Sequence, residues 1–266
     1  MNIGNVYWDW AALERDGVMP SILAIGDSWF WYPFPGGSLI SQLGPLVAPK
    51  DHAILALGNN GAKAWDYVNG RFHLSVLSAL RLHGPSLSAV FISGGGNDFA
   101  GFNDLRPMLK RDCSQAPDAA ACFVSATQPG SLADLMNEMA ECYQQLVQQI
   151  SAVTPPGCHI VVHNYDLAIP TGRGVFGHQH GWLKPALDAA GVPLALQPAC
   201  VRQVLACFTA VLRDLVLQHA GRVVLVDSAG TLSATEWANE LHPTAEGFHR
   251  IAVQRWAPVL QQIGLA

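Results

Sequence analysis

The sequence predicts an α/β protein: a three-layer α/β/α sandwich around a central parallel sheet of about five strands. Three observations carry that expectation. Short apolar runs recur at wide intervals along the 266 residues. Each is nearly all-apolar rather than alternating, as strands buried on both faces are. Helix-like segments separate them, in the order that βαβ crossovers require.

The expected strands are Ile22 to Ile25, Ala53 to Leu57, Ala89 to Ile92, His159 to Val162 and Val223 to Val226. Helices are expected over Gly37 to Leu43, Ser75 to Leu82, Leu132 to Val153, Val201 to Gln218 and Ala245 to Ile263. A strand order of 2-1-3-4-5 suits this alternation. Two stretches break the rhythm. Residues 99–131 follow the third strand and hold Pro107, Pro117, Pro129, Cys113 and Cys122; residues 167–198 follow the fourth and hold Pro170, Gly172, Gly174 and Gly177. Long irregular connections inside a compact domain are usually binding loops or lids, and both would emerge at the carboxyl ends of strands, where open α/β sheets bind ligands. With no repeat, low-complexity tract or linker, the expectation is one domain over 1–266 carrying two insertions.

Composition narrows the function classes. Half the residues are hydrophobic and 13% are charged, enough apolar side chain for a large core and too little charge for disorder. The formal charge of -5, with no basic cluster beyond Lys110-Arg111, gives no footprint for nucleic acid. No apolar stretch is long enough to span a bilayer, and Met1 to Pro20 carries Asp9, Glu14, Arg15 and Asp16 in place of a signal-peptide core. The default expectation is a soluble cytoplasmic protein, with signal-independent export as the alternative. The six cysteines include no Cys-x-x-Cys pair. A Cys113–Cys122 bridge would staple one insertion, but buried thiols acting as small hydrophobes are the simpler reading.

Chemistry concentrates at a few short blocks. Gly26-Asp27-Ser28-Trp29 ends the first apolar run and would lift a serine hydroxyl out of the sheet edge at the start of a helix. Gly58-Asn59-Asn60-Gly61 follows the second run, Gly96-Asn97-Asp98 the third, and Leu241-His242-Pro243 precedes the terminal helix. One such block is weak evidence, since a serine after a strand is more often a helix cap than a nucleophile. Four in order, spread over nearly the whole chain, are strong.

In these blocks the chain resembles the SGNH (GDSL-type) serine hydrolases, whose four motifs supply a Ser, a Gly, an Asn and a His. The resemblance implies a flavodoxin-like sandwich and an esterase or lipase acting without metal or organic cofactor. Ser28 would be the nucleophile and His242 the base. The Ser28 backbone N–H, an N–H at Gly61 and the Asn97 side-chain amide would form the oxyanion hole, with Gly58 the rival glycine. The chain departs from the pattern three residues before the histidine, where the family usually has Asp and this sequence has Asn239. Asn can orient an imidazole through its carbonyl oxygen but cannot stabilise imidazolium by full charge. Asn239 is therefore the expected orienting residue. Glu240 comes second, and Glu236, Asp227 or a main-chain carbonyl are further rivals.

Other features carry less. His178-x-His180 with His163 has no carboxylate or Cys at matching spacing, so no metal is expected. Gly94-Gly95-Gly96 lacks the Lys-Ser/Thr of a phosphate loop, and Asp27 to Phe30 lacks the second glycine of a Gly-x-Ser-x-Gly elbow. The aromatic run from Trp29 to Phe34 would wall an apolar acyl or alcohol group, or stack on a sugar, or simply pack beneath the insertions. Arg173 is a candidate contact for a polar head group. The expected activity is hydrolysis of a small-molecule, lipid or glycan carboxylic ester through an acyl-enzyme, with an apolar acyl group favoured. A carbohydrate O-acetyl esterase is the alternative, and a non-catalytic binding module the alternative of another class.

Overall fold

The computed structural model describes residues 4–31, 37–178 and 181–266. Its centre is an all-parallel sheet of β1 (Val6–Tyr7), β2 (Ile22–Gly26), β3 (Ile54–Gly58), β4 (Ala89–Ser93), β5 (His159–His163) and β8 (Val223–Val226). The order is β1-β3-β2-β4-β5-β8, so the five expected strands are present and take the 2-1-3-4-5 order among themselves. Two short strands, β6 (Arg173–Gly174) and β7 (Gly177–His178), form a separate antiparallel hairpin. The sixth sheet strand, β1, was not expected. It is two residues long, too short for a periodic signal, and Asn5 pins it by donating Nδ2–H to the Gly44 and His52 carbonyls.

β2 lies mid-sheet, with Ile22 opposite Ile54 and Ala89 and Gly26 opposite Gly58 and Ser93. All five of its residues are buried, the reason its sequence reads as an uninterrupted apolar run. The chain leaves β2 for β3 on one side and then for β4 on the other. The carboxyl end of β2 is thus a topological switch point, where a crevice opens in such sheets.

The helices are α1 (Trp10–Asp16), α2 (Leu39–Val47), α3 (Ala64–Val68), α4 (His73–His83), α5 (Gly96–Phe99), α6 (Phe102–Leu105), α7 (Leu132–Val153), α8 (Lys184–Ala189), α9 (Gln197–Gln218), α10 (Ala245–Ile251) and α11 (Ala257–Gln262). α3, α4 and α9 pack with α7, while α2 packs with α10. α7 starts where Ser131 accepts the Asp134 N–H on its Oγ at 3.2 Å, a cap worth about 1 kcal/mol. Its buried stripe, Leu132, Met136, Met139, Tyr143, Leu146, Val147 and Ile150, follows helical spacing. The last expected helix is interrupted, since Ala252–Trp256 form a π-helical turn between α10 and α11. Pro258, in the first turn of α11, cannot donate to a preceding carbonyl, and its ring excludes the ordinary i−4 bond.

The two insertions meet. α6, from residues 99–131, packs against α8, from residues 167–198, and the Cys113 N–H donates to the Ala190 carbonyl at 2.7 Å. All six cysteines are free thiols in this structure, five of them buried. Among the described residues no helix is long and apolar enough to cross a membrane.

Candidate active site

Ser28 leaves β2 on a single turn rather than at the start of a helix: the Phe30 and Trp31 N–H groups close onto the Asp27 carbonyl, and α2 begins only after Ser38. Asp27 builds this turn. Its Oδ1 accepts the Trp29 N–H and the Ser93 hydroxyl, both at 3.0 Å, and its Oδ2 accepts the Tyr165 hydroxyl at 2.6 Å. Burial pushes the Asp27 carboxyl up to about 6, against the lowering effect of its hydrogen-bond donors, Tyr165 foremost.

The histidine comes from the other end of the chain. Thr244 caps α10, accepting the Gly247 N–H at 3.1 Å, and Pro243 pairs with Trp237 in an isolated bridge that turns the preceding loop back on itself. That turn brings His242 Nε2 to 2.8 Å from Ser28 Oγ, across 214 residues of sequence. Trp29 ties the two segments together, its indole N–H donating to the Leu241 carbonyl at 2.8 Å. Ser28 and His242 are both buried, and burial lowers the imidazole to about 4, so the ring is neutral at pH 7.

Asn239 stands where the acid of a triad would. Its Oδ1 lies 3.0 Å from His242 Nδ1 and also accepts the backbone N–H of Leu241 at 3.0 Å and of His242 at 2.9 Å. Two backbone donors on one oxygen fix which end of the amide faces the ring. The proton therefore sits on Nδ1, leaving Nε2 as acceptor for the Ser28 hydroxyl.

The rival carboxylates point elsewhere. Glu240 is fully buried, but its oxygens accept backbone N–H groups from Gly172, Trp182, Leu183 and Lys184. Glu236 pairs with Arg250, and Asp227 with Arg213 and Asn164.

A cleft of about 360 Å³ opens at Ser28, with Asn97, Phe99, Tyr165, Leu205, Trp237 and Leu241 on its walls. Asn97 reaches it on α5, after the Gly94-Gly95-Gly96 run that Tyr143 holds by donating its hydroxyl to the Gly94 carbonyl at 2.7 Å. Its Nδ2 donates to the Ala62 carbonyl at 3.0 Å. Asp98 accepts the Ala64 N–H at 2.9 Å, so α5 and the 62–64 segment are clamped together. The Ser28 N–H makes no hydrogen bond with the described residues. Asp166, also lining the cleft, is held by four backbone N–H groups, from Leu167, Gly230, Thr231 and Leu232.

The second block is less tightly gathered. Gly61 is exposed, adopts φ +72°, and is not on the cleft wall. Gly58 closes β3, and a Cβ there would run into Trp31, so packing accounts for that glycine. Within the aromatic run, Trp29 and Phe30 are buried, and of its described residues Trp29 lines the cleft; residues 32–35 lie outside the described residues. His163 is enclosed by Trp29, Phe30, Tyr165 and Trp256, while the His178 side chain and His180 lie outside the described residues. Arg173 is exposed on β6, away from the cleft walls. Sequence reasoning missed Trp182, whose ring meets His242 edge-on at 5.8 Å, and Trp237 and Asp166 on the cleft.

Comparison with known proteins agrees with this fold. Residues 24–250 match the model of the GDSL-like Lipase/Acylhydrolase family. Among solved structures, the fold is similar to the extracellular lipase of Streptomyces rimosus, at 17% identity and TM-score 0.54 over 92% of this chain and 99% of that one. It is also similar to a proposed GDSL-like lipase of Parabacteroides merdae, at 15% identity and TM-score 0.53 over 93% and 97% of the two chains. A proposed arylesterase of Agrobacterium tumefaciens matches at 17% identity and TM-score 0.51, over 92% of this chain and 100% of that one. No curated protein sequence matches the chain.

Proposed function

Since the chain belongs to the GDSL-like lipase/acylhydrolase family, we propose that it hydrolyses carboxylic esters through an acyl-enzyme on Ser28. The observation that carries this reading is the continuous line Ser28 Oγ, His242 Nε2, His242 Nδ1, Asn239 Oδ1, with links of 2.8 and 3.0 Å. Ser28 Oγ attacks the ester carbonyl as its proton passes to Nε2. The tetrahedral oxyanion is met by the Ser28 N–H, which no described residue occupies, and by the Asn97 amide. His242 returns the proton to the departing alkoxide, and water then releases the acid by the same route in reverse.

Asn239 supplies orientation and tautomer without charge. The mostly apolar cleft wall suits an apolar acyl group. The aromatic side chains on that wall also suit a second reading, an O-acetyl ester on a sugar against which they would stack. Hydrolysis of p-nitrophenyl acyl esters of increasing length, beside an acetylated sugar, separates the two: turnover confined to the sugar discards the lipase-type reading. Fluorophosphonate labelling tests the class itself. A folded wild type that stays unlabelled at Ser28 is a binding module, not a hydrolase.

A further inference from the structure

Resting on that reading, we infer that Glu240 is a positioning residue: its carboxylate pinches the neck of the second insertion and thereby seats Trp182 against His242. The neck is closed at both ends on one side chain. Glu240 Oε1 accepts the Gly172 N–H at 2.7 Å and the Lys184 N–H at 3.1 Å; Oε2 accepts Trp182 at 2.5 Å and Leu183 at 2.8 Å. The Gly181 N–H donates to the Gly172 carbonyl at 3.0 Å, and the Glu240 N–H donates to the Arg173 carbonyl at 3.0 Å. Gly181 is required at the crossing, because a Cβ there would collide with the carboxylate and with the Gly172 backbone. Residues 173–178, the β6–β7 hairpin with an exposed Phe176 at its turn, lie outside this neck.

Glu240 sits two residues from His242 on the same loop, so the clamp and the base share a backbone. With the neck closed, Trp182 lies edge-on to the imidazole at 78°. A ring packed against the imidazole takes the place of water there, and loss of water is what favours the neutral form of a histidine. Among the described residues, the charged groups near His242 are turned to partners of their own. Ser28 and Asn239 are neutral. The Asp27 carboxylate faces Tyr165, Ser93 and the Trp29 N–H; Asp166 faces its four amides; Glu236 faces Arg250 and Ser233. Burial lowers the imidazole. The second insertion is then a fixed cover for the base and not a lid, since four charge-assisted bonds to one buried carboxylate would have to break for it to open.

The test is NMR titration of the His242 ring in wild type, E240Q, W182A and W182F, with thermal melts to establish folding and fluorophosphonate labelling rates alongside. Glutamine keeps the shape of Glu240 but cannot accept from both pairs of amides. The expected result is a ring pKa raised by at least one unit in E240Q and W182A, and left near wild type in W182F. E240Q/W182A should be no further shifted than the larger single variant, because both act through one contact. A ring pKa unchanged in folded E240Q and W182A overturns the inference and leaves Glu240 a purely structural anchor; so does an additive double variant. If E240Q does not fold, W182A and W182F still decide the matter. Wild type that resists labelling while these shifts appear would refute the hydrolase reading and leave the clamp standing.

Discussion

One oxygen of Asn239 holds His242 in two ways: Oδ1 faces the imidazole Nδ1 at 3.0 Å and accepts the histidine's own backbone N–H at 2.9 Å. The ring and the peptide that carries it are indexed to one oxygen. N239A should therefore lose both tautomer and loop geometry, lowering kcat about 10²-fold. N239D keeps the acceptor and adds charge, so it should retain activity and move the acid limb of kcat/KM upward by about one to three units. A pH profile of the two variants checks both outcomes.

Removing the proposed nucleophile gives the simplest readout. S28A should abolish fluorophosphonate labelling and lower kcat by at least ~10³-fold, with the melting temperature little changed. Retained turnover in S28A would move the chemistry elsewhere in the molecule.

Asn97 is expected to act on the transition state and not on the bound ester. N97A should cost about 10²–10³ in kcat with KM nearly unchanged. Steady-state kinetics on a soluble ester distinguish this from a binding role, in which KM would rise instead. The same variant loses the bond to the Ala62 carbonyl, so a melt must accompany the kinetics.

The pH dependence of activity follows from burial of the base. With the imidazole lowered to about 4, the catalytic neutral form persists down to that pH. kcat/KM should rise through an acid limb centred near 4, and lie flat between pH 5 and 7, instead of climbing through the ordinary histidine range near ~6.5. An acid limb near 6.5 in the wild type contradicts a desolvated base.

Asp27 predicts an opposite slope in stability. Its folded carboxyl is raised to about 6 from an ordinary 3.8, so the folded state binds the extra proton between those values. Stability contributed by this group is full below about pH 4 and is lost as pH rises through 6, by up to about 3 kcal/mol. His242 works the other way, because its folded value is depressed and the unfolded chain binds the proton over about 4 to 6.5. Comparing urea melts of wild type and D27N at pH 4 and pH 7 cancels the histidine. The variant should lose less stability across that interval than the wild type does.

Much of the frame is legible in the sequence because it is local. β8 and α7 have the expected bounds, and the other four expected strands differ by a residue or so at an end. Apolar runs and helical stripes announce themselves within a window of ten to twenty residues. β1 does not, because two residues have no period and its evidence is an asparagine bonding 39 and 47 residues away. α1 carries local signals at both ends, an Asp9 cap accepting the Ala12 N–H and Gly17 at its close with φ +63°.

The site divides the same way. Ser28, Asn97, Asn239 and His242 sit in short blocks whose order is visible. Gly61 and Gly58 share a turn-like composition that cannot say which glycine nears the substrate. The partners of Glu240 are backbone amides 56 to 68 residues away, and amides leave no mark on a sequence. Glu240 thus read as a rival acid when its structural partners are four peptide bonds.

The indole bond from Trp29 to the Leu241 carbonyl spans 212 residues, nearly the length of the chain. Ser28 and His242 are likewise 214 residues apart, so the serine stands without its histidine until the segment carrying His242 has docked against β2. In refolding experiments, probe reactivity should return with docking of the C-terminal segment, after the sheet's own spectroscopic signal.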